Sequence, residues 1–137
     1  MPAEARAWAR VVDASALGAI LFGEPESDAV GERLKGLLLV APALLRFELA
    51  NICWKKVRRS PEKRDVLLAA HDFLGQMEIY EVEVRLGEVL ELAESVGITA
   101  YDASYLWLAR ALGLDLVTLD ARLARAVAQQ SLEGHEG

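Results

Sequence analysis

Cysteine is nearly missing. Cys53 stands alone among 137 residues, so the chain can build neither an internal disulfide framework nor a multi-cysteine zinc site, and a lone thiol fits a reducing interior. Histidine is almost as scarce. His71 lies at the margin of an apolar stripe and His135 near the C-terminus, which leaves acid–base chemistry by a histidine pair without its partners and His71 a partly buried structural residue. Basic charge is short too: fifteen Lys and Arg face twenty-one Asp and Glu, a net charge of −6. That balance excludes holding duplex DNA through an overall positive field. Long apolar runs are also lacking, since the charge-free stretches 14–23 and 36–45 are about half of the ~20 residues that a membrane-spanning helix needs. Residues 1–10, with Glu4, Arg6 and Arg10 and no apolar core behind them, do not read as a secretion signal. The expected location is the cytoplasm.

What the chain does have is material for one core. At 15.0 kDa, with 53% hydrophobic and 26% charged residues, it has the size and composition of a single folded domain, expected over 1–137 with a frayed polar tail at 131–137. Short apolar runs at Val11–Val12, Leu37–Val40 and Leu114–Leu119 have strand length. The stretch 79–84 alternates apolar with acidic residues and predicts a strand exposed on one side, at a sheet edge. Between them, helical spacing predicts about seven helices. These cover 14–21, 27–35, 42–59, 61–77 with a stripe of Val66, Leu67, Ala70, Leu74 and Met77, 86–96, 99–112 and 120–129. Strands alternating with helices imply a layered α/β domain with a parallel sheet, whose ligand site lies beyond the carboxyl ends of the strands.

Four acids fall where that edge should be. Asp13 closes the first strand and Asp120 the last, and Asp102 sits in the first turn of the sixth helix. Each has an ordinary alternative role, because Asp13 and Asp120 stand where N-caps belong and Thr99 with Asp102 has the form of a capping box. Glu48 is different. Its helical neighbours Leu44, Leu45, Asn51 and Ile52 place its carboxylate on the inward side, where an unpartnered charge costs several kcal/mol. It needs a cation, good hydrogen bonds or a distant arginine; Arg46, two residues away, points elsewhere. If Glu48 joins the three aspartates, four carboxylates converge without a soft ligand, and their repulsion calls for a hard cation such as Mg²⁺ or Mn²⁺. Such a centre supports phosphodiester hydrolysis by lowering the pKa of an attacking water and neutralising charge as the phosphorus reacts.

The segments Val11-Val12-Asp13-Ala14-Ser15-Ala16-Leu17, Arg46-Phe47-Glu48-Leu49-Ala50-Asn51, Tyr101-Asp102-Ala103-Ser104-Tyr105 and Val117-Thr118-Leu119-Asp120 together resemble the PIN domain, and within it the VapC-type ribonuclease toxins. Each is short, but their order and spacing span nearly the whole chain. The resemblance implies a layered α/β/α fold with a central parallel sheet of four strands, or five. It also implies a Mg²⁺- or Mn²⁺-dependent endoribonuclease with the quartet Asp13, Glu48, Asp102 and Asp120 as catalytic and metal-binding residues. Ser15 and Thr118 would orient carboxylates or water, Asn51 would help polarise the site, and the protein would form a homodimer held in check by a small antitoxin. The C-terminus departs from the pattern: relatives commonly finish on a short strand, whereas 129–137 holds one large apolar residue, Leu132.

Charge is segregated. Lys55, Lys56, Arg58, Arg59, Lys63 and Arg64 against Glu62 give +5 between 55 and 64, leaving −11 for the rest of the chain. Lys55, Lys56, Arg58 and Arg59 could steer a phosphate backbone toward the acids, or simply form a solvated helix end that complements the dipole. A different class of function stays open as well, a catalytically silent module that binds protein or RNA and uses its acids as caps. Phosphoacceptor receiver domains and haloacid-dehalogenase-like phosphatases need a second acid beside or near the first, where Ala14 and Ser15 stand here.

Overall fold

The computed structural model describes residues 3–136, with side chains at 4 and 6–129. One helical turn, α1 (Ala3–Arg6), precedes β1 (Ala9–Val12), and α2 (Ala14–Leu21) and α3 (Ser27–Leu34) lead to β2 (Leu38–Ala41). Next come the long α4 (Leu44–Arg59), a 3₁₀ turn (Pro61–Lys63), α5 (Arg64–Asp72), a second 3₁₀ turn (Phe73–Gln76) and β3 (Ile79–Glu81). The chain closes with α6 (Leu86–Val96), α7 (Ala100–Leu112), β4 (Leu116–Val117) and α8 (Ala121–Glu136). The seven expected helices are α2 to α8; α1 is additional. Among the described residues no helix is long and apolar enough to cross a membrane.

The strands form one parallel sheet in the order β3-β2-β1-β4. From β1 the chain winds outward through β2 to β3, then returns to place β4 on the other side of β1. The winding direction therefore reverses between β1 and β4, and a crevice opens there at the carboxyl ends of the strands. Val11, Val12, Val40 and Val117 fill the sheet's interior, while Leu17, Leu45, Leu49, Leu106 and Leu108 pack it from the helices, all of them buried. Gly97 and Gly113, at φ 80° and 67°, take the left-handed conformation that ends α6 and α7, and a side chain there would be strained.

Several boundaries differ from the expected ones, each for a local reason. The last strand is two residues long, because beyond Val117 the backbone leaves the ladder for side-chain partners: Leu119 N–H donates to Ser15 Oγ and Asp120 N–H to Thr118 Oγ1. The alternating strand at 79–84 shortens to Ile79–Glu81 and lies at the sheet edge, with Tyr80 exposed. The helix expected over 61–77 breaks into 3₁₀, α and 3₁₀ segments, and its apolar stripe is not a core face: only Leu74 is buried, and Val66 is 73% exposed. This region packs chiefly on α4, so only one edge of it is covered. At the other end, α8 continues to Glu136, so the segment read as a frayed tail is helical over its described part. No fifth strand occurs among the described residues.

Candidate active site

Asp13 is the residue at which β1 becomes α2. Its carboxylate Oδ1 accepts the N–H of Ala16 at 3.0 Å, capping α2, and also the Ser15 hydroxyl at 2.7 Å. The other oxygen, Oδ2, accepts the Thr118 hydroxyl at 2.5 Å, a bond from the end of β4 to the end of β1. Ser15 Oγ and Thr118 Oγ1 lie 3.2 Å apart. Asp120 caps α8 by accepting the N–H of Leu123 at 3.0 Å. Asp102 stands in the first turn of α7, its N–H donated to the capping Thr99 Oγ1 at 3.1 Å. The ordinary capping roles are therefore real for Asp13 and Asp120, and the same geometry aims these carboxylates at the crevice.

Glu48 completes the group from α4. It is half-buried, and its partner is a phenol, not an arginine: the buried Tyr105 hydroxyl donates to Glu48 Oε1 at 2.5 Å. Arg46 turns away to Glu81. One cavity of about 220 Å³ is lined by Asp13, Ser15, Glu48, Asn51, Lys55, Asp102, Tyr105 and Asp120. All four predicted acids thus share one cavity, together with the predicted Ser15, Asn51 and Lys55; Thr118 reaches it through Asp13.

Electrostatics in the cavity is unfavourable to three of the charges. Burial pushes the Asp13 carboxyl above its ordinary value, offset in part by the Thr118, Ala16 and Ser15 hydrogen bonds and reinforced by Asp120. Burial also raises Glu48, against the Tyr105 hydrogen bond and with the charges of Asp102 and Asp13. Asp102 is raised by burial, Asp120 and Asp13, with Thr99 and Arg122 partly compensating. The Tyr105 phenol is pushed up by burial, by its bond to Glu48 and by the neighbouring acids, so it remains a donor. The charge of Asp13 acts on both Glu48 and Asp102, which places it centrally.

Does this set suit a divalent ion? Among the described residues no three His, Cys, Asp or Glu side chains already form a group that could hold one without rearrangement. The donors are nonetheless all oxygen, and burial together with neighbouring carboxylates disfavours the charged forms of Asp13, Glu48 and Asp102. A hard cation that keeps several of its waters requires only one or two direct carboxylates, and the pocket offers these. The donor set suits a hard divalent cation.

The basic cluster divides. Lys55 lines the acidic cavity, whereas Lys56 points away, ion-paired with Glu24 and 5.6 Å from the centre of the Phe22 ring. This ion pair joins α4 to the α2–α3 turn. Arg58 lies over the exposed Trp54 ring at 5.0 Å, and Arg59 is exposed at the end of α4. His71 lines another cavity with Phe47 and Leu74, its buried Nε2 without a partner among the described residues; His135 lies outside the described side chains. Two residues near the acids were missed in the sequence. Tyr105 follows Asp102 by three positions and Arg122 follows Asp120 by two, and the first spacing is the signal for a shared helix face.

Comparison with known proteins gives a consistent picture. The pattern of the PIN domain family matches residues 10–128. The chain is 33% identical over 119 residues to Ribonuclease VapC3 of Pyrobaculum aerophilum, covering 83% of this chain and 91% of that protein. It is 34% identical over 115 residues to Exonuclease VapC9 of the same organism, covering 82% and 81%. Among solved structures, the crystal structure of PAE2754 from P. aerophilum superposes with a TM-score of 0.69 at 27% identity, over 97% of this chain and 99% of that one.

Proposed function

This chain belongs to the PIN-domain family, in its VapC-type branch, and from that premise we propose that it is a Mg²⁺- or Mn²⁺-dependent endoribonuclease, the toxin of a toxin–antitoxin pair. One observation carries the reading: Asp13, Glu48, Asp102 and Asp120, from four distant stretches, line a single cavity at the point where the sheet reverses its winding. These four residues would hold the cation. When bound, it supplies a lowered pKa for the attacking water and neutralises charge on the reacting phosphate.

The chain's own groups do the rest. Ser15 and Thr118 hold Asp13 by both oxygens, so its carboxylate cannot rotate as charge builds. Asn51 and Lys55 line the same cavity and are suited to the phosphate oxygens of a bound strand, with Arg58 and Arg59 extending the basic track along α4. Cleavage by this route leaves a 5′-phosphate and a 3′-hydroxyl. A homodimer and a small antitoxin are part of the same proposal and rest on the family resemblance; sedimentation equilibrium reads the first, and the neighbouring open reading frame the second.

One relative is named an exonuclease and the other a ribonuclease, a name that specifies no cleavage mode. A circular RNA separates the modes, because only endonucleolytic attack opens it. Incubation with Mn²⁺ is expected to linearise the circle, and Asp13→Asn to abolish this. A second reading has its own observation: Asp13 and Asp120 both cap helices, so a silent binding module would also keep them. RNA left intact by the unaltered protein at saturating Mn²⁺ would establish that reading instead.

A further inference from the structure

The hydrogen bond between Tyr105 and Glu48 joins α7 to α4 across 57 positions of sequence. Tyr105 is 1% exposed, with its ring in the main core and its hydroxyl at the wall of the acidic cavity. Glu48 hangs from α4 on a flexible side chain, and unlike Asp13 it has no Ser or Thr hydroxyl to fix it among the described residues. A tyrosine ring, by contrast, is held rigidly by the packing around it. The phenol occupies Oε1 and leaves Oε2 the only carboxylate oxygen of Glu48 without this bond.

Resting on the nuclease reading above, we propose that Tyr105 is a positioning residue of the site: its hydroxyl pins Glu48 through Oε1 and thereby sets the cation affinity of the acid cluster. It takes no direct part in the reaction. The competing explanation is that a buried phenol simply requires an acceptor. The two differ in what they move, since an acceptor-only role affects stability, whereas positioning affects metal affinity and turnover.

The test is Tyr105→Phe, which retains the ring in the core, read by Mn²⁺ binding in titration calorimetry together with kcat, KM for RNA and thermal unfolding. Expected are a ten- to hundredfold weaker Mn²⁺ affinity and a lower kcat at limiting Mn²⁺, with KM for RNA little changed. In a Glu48→Ala background the same substitution is expected to leave Mn²⁺ affinity unaltered, because its effect travels through Glu48. Unchanged Mn²⁺ affinity in Tyr105→Phe, or an equal loss in the Glu48→Ala background, overturns the proposal. A measurement on the unaltered chain guards against a variant that does not fold: with ¹³C-labelled tyrosine, Mg²⁺ should shift the Tyr105 ring resonances and leave those of Tyr80, on the edge strand, in place. Resonances of Tyr105 that ignore Mg²⁺ overturn it equally. Failure of the unaltered protein to bind any divalent ion removes the nuclease reading and this inference together, whereas normal binding and cleavage by Tyr105→Phe removes the inference alone.

Discussion

Asp13 shows how one side chain can serve the fold and the chemistry together. Its Oδ1 accepts the N–H of Ala16 and its Oδ2 the hydroxyl of Thr118, so a helix cap and a fixed carboxylate coexist in one side chain. Thr118→Val keeps the shape and removes the hydroxyl. The Asp13 hydrogen bond and the acceptor for Asp120 N–H disappear with it. Loss of a hydrogen bond to a charged group is expected to lower stability by about 1.5–3 kcal/mol, measured by urea unfolding. Because that bond lowers the Asp13 pKa, its removal should also shift the acidic limb of the kcat profile to higher pH and weaken Mn²⁺ binding about tenfold. An unshifted limb would show that Asp13 is not the group titrating there.

At the scale of elements, α4 carries Glu48 inward and a basic surface outward, and its two adjacent lysines do different work. Lys55 faces the acidic cavity, while Lys56 joins α4 to Glu24 and to the Phe22 ring. Lys55→Ala is expected to raise KM for RNA several-fold and to reduce the slope of log affinity against log salt by about 1, as removal of one phosphate contact requires. Lys56→Ala should leave both unchanged and lower stability by about 1 kcal/mol or less, the range of a partly exposed ion pair. Cleavage assays over a potassium chloride series and urea unfolding distinguish the two. From sequence the pair looked equivalent. A helix surface turns by about 100° per residue, so neighbours diverge, but which way each points depends on where α2 and α3 lie, and that is a tertiary fact.

For the whole molecule the controlling quantity is the charge gathered at one point. Asp13, Glu48 and Asp102 all bind protons more tightly folded than unfolded, with ordinary values of 3.8, 4.5 and 3.8. Between those values and the raised ones, these three groups therefore hold more protons in the folded chain than in the unfolded one. The stability contributed by the protonated forms is present in full below the unfolded pKa and is lost as pH rises through the folded pKa. Metal-free protein should accordingly melt at a lower temperature at pH 7 than at pH 4, close to the ordinary values of these groups. Mn²⁺ at a hundred times its pH 7 Kd should add about 2.7 kcal/mol, roughly 10 °C in Tm for a domain of this size, at pH 7 and distinctly less at pH 4. Scanning calorimetry with and without Mn²⁺ checks both, and equal effects of the ion at the two pH values would mean that these acids do not hold it.

Much of this architecture was written along the chain, because hydrophobic periodicity and capping chemistry are local. Val11-Val12-Asp13 reads as a buried strand running into a cap wherever it stands, and Gly97 and Gly113 end their helices through a backbone angle that glycine alone adopts without strain. An inward-facing Glu48 was also visible, since helical spacing gives the direction of a side chain. Its partner was not. Whether that carboxylate would find an arginine, a cation or the hydroxyl of Tyr105 depended on how α7 docks against α4, and no local rule relates residues 57 positions apart. The stripe on α5 failed as a core prediction for the same reason: periodicity says that a helix has an apolar face, and only packing decides whether anything covers it. Short-range sterics and charge, both local to the chain, set the elements and the kinds of chemistry available. Which distant groups meet depended on packing instead, because the winding of the sheet brings the ends of β1 and β4 side by side.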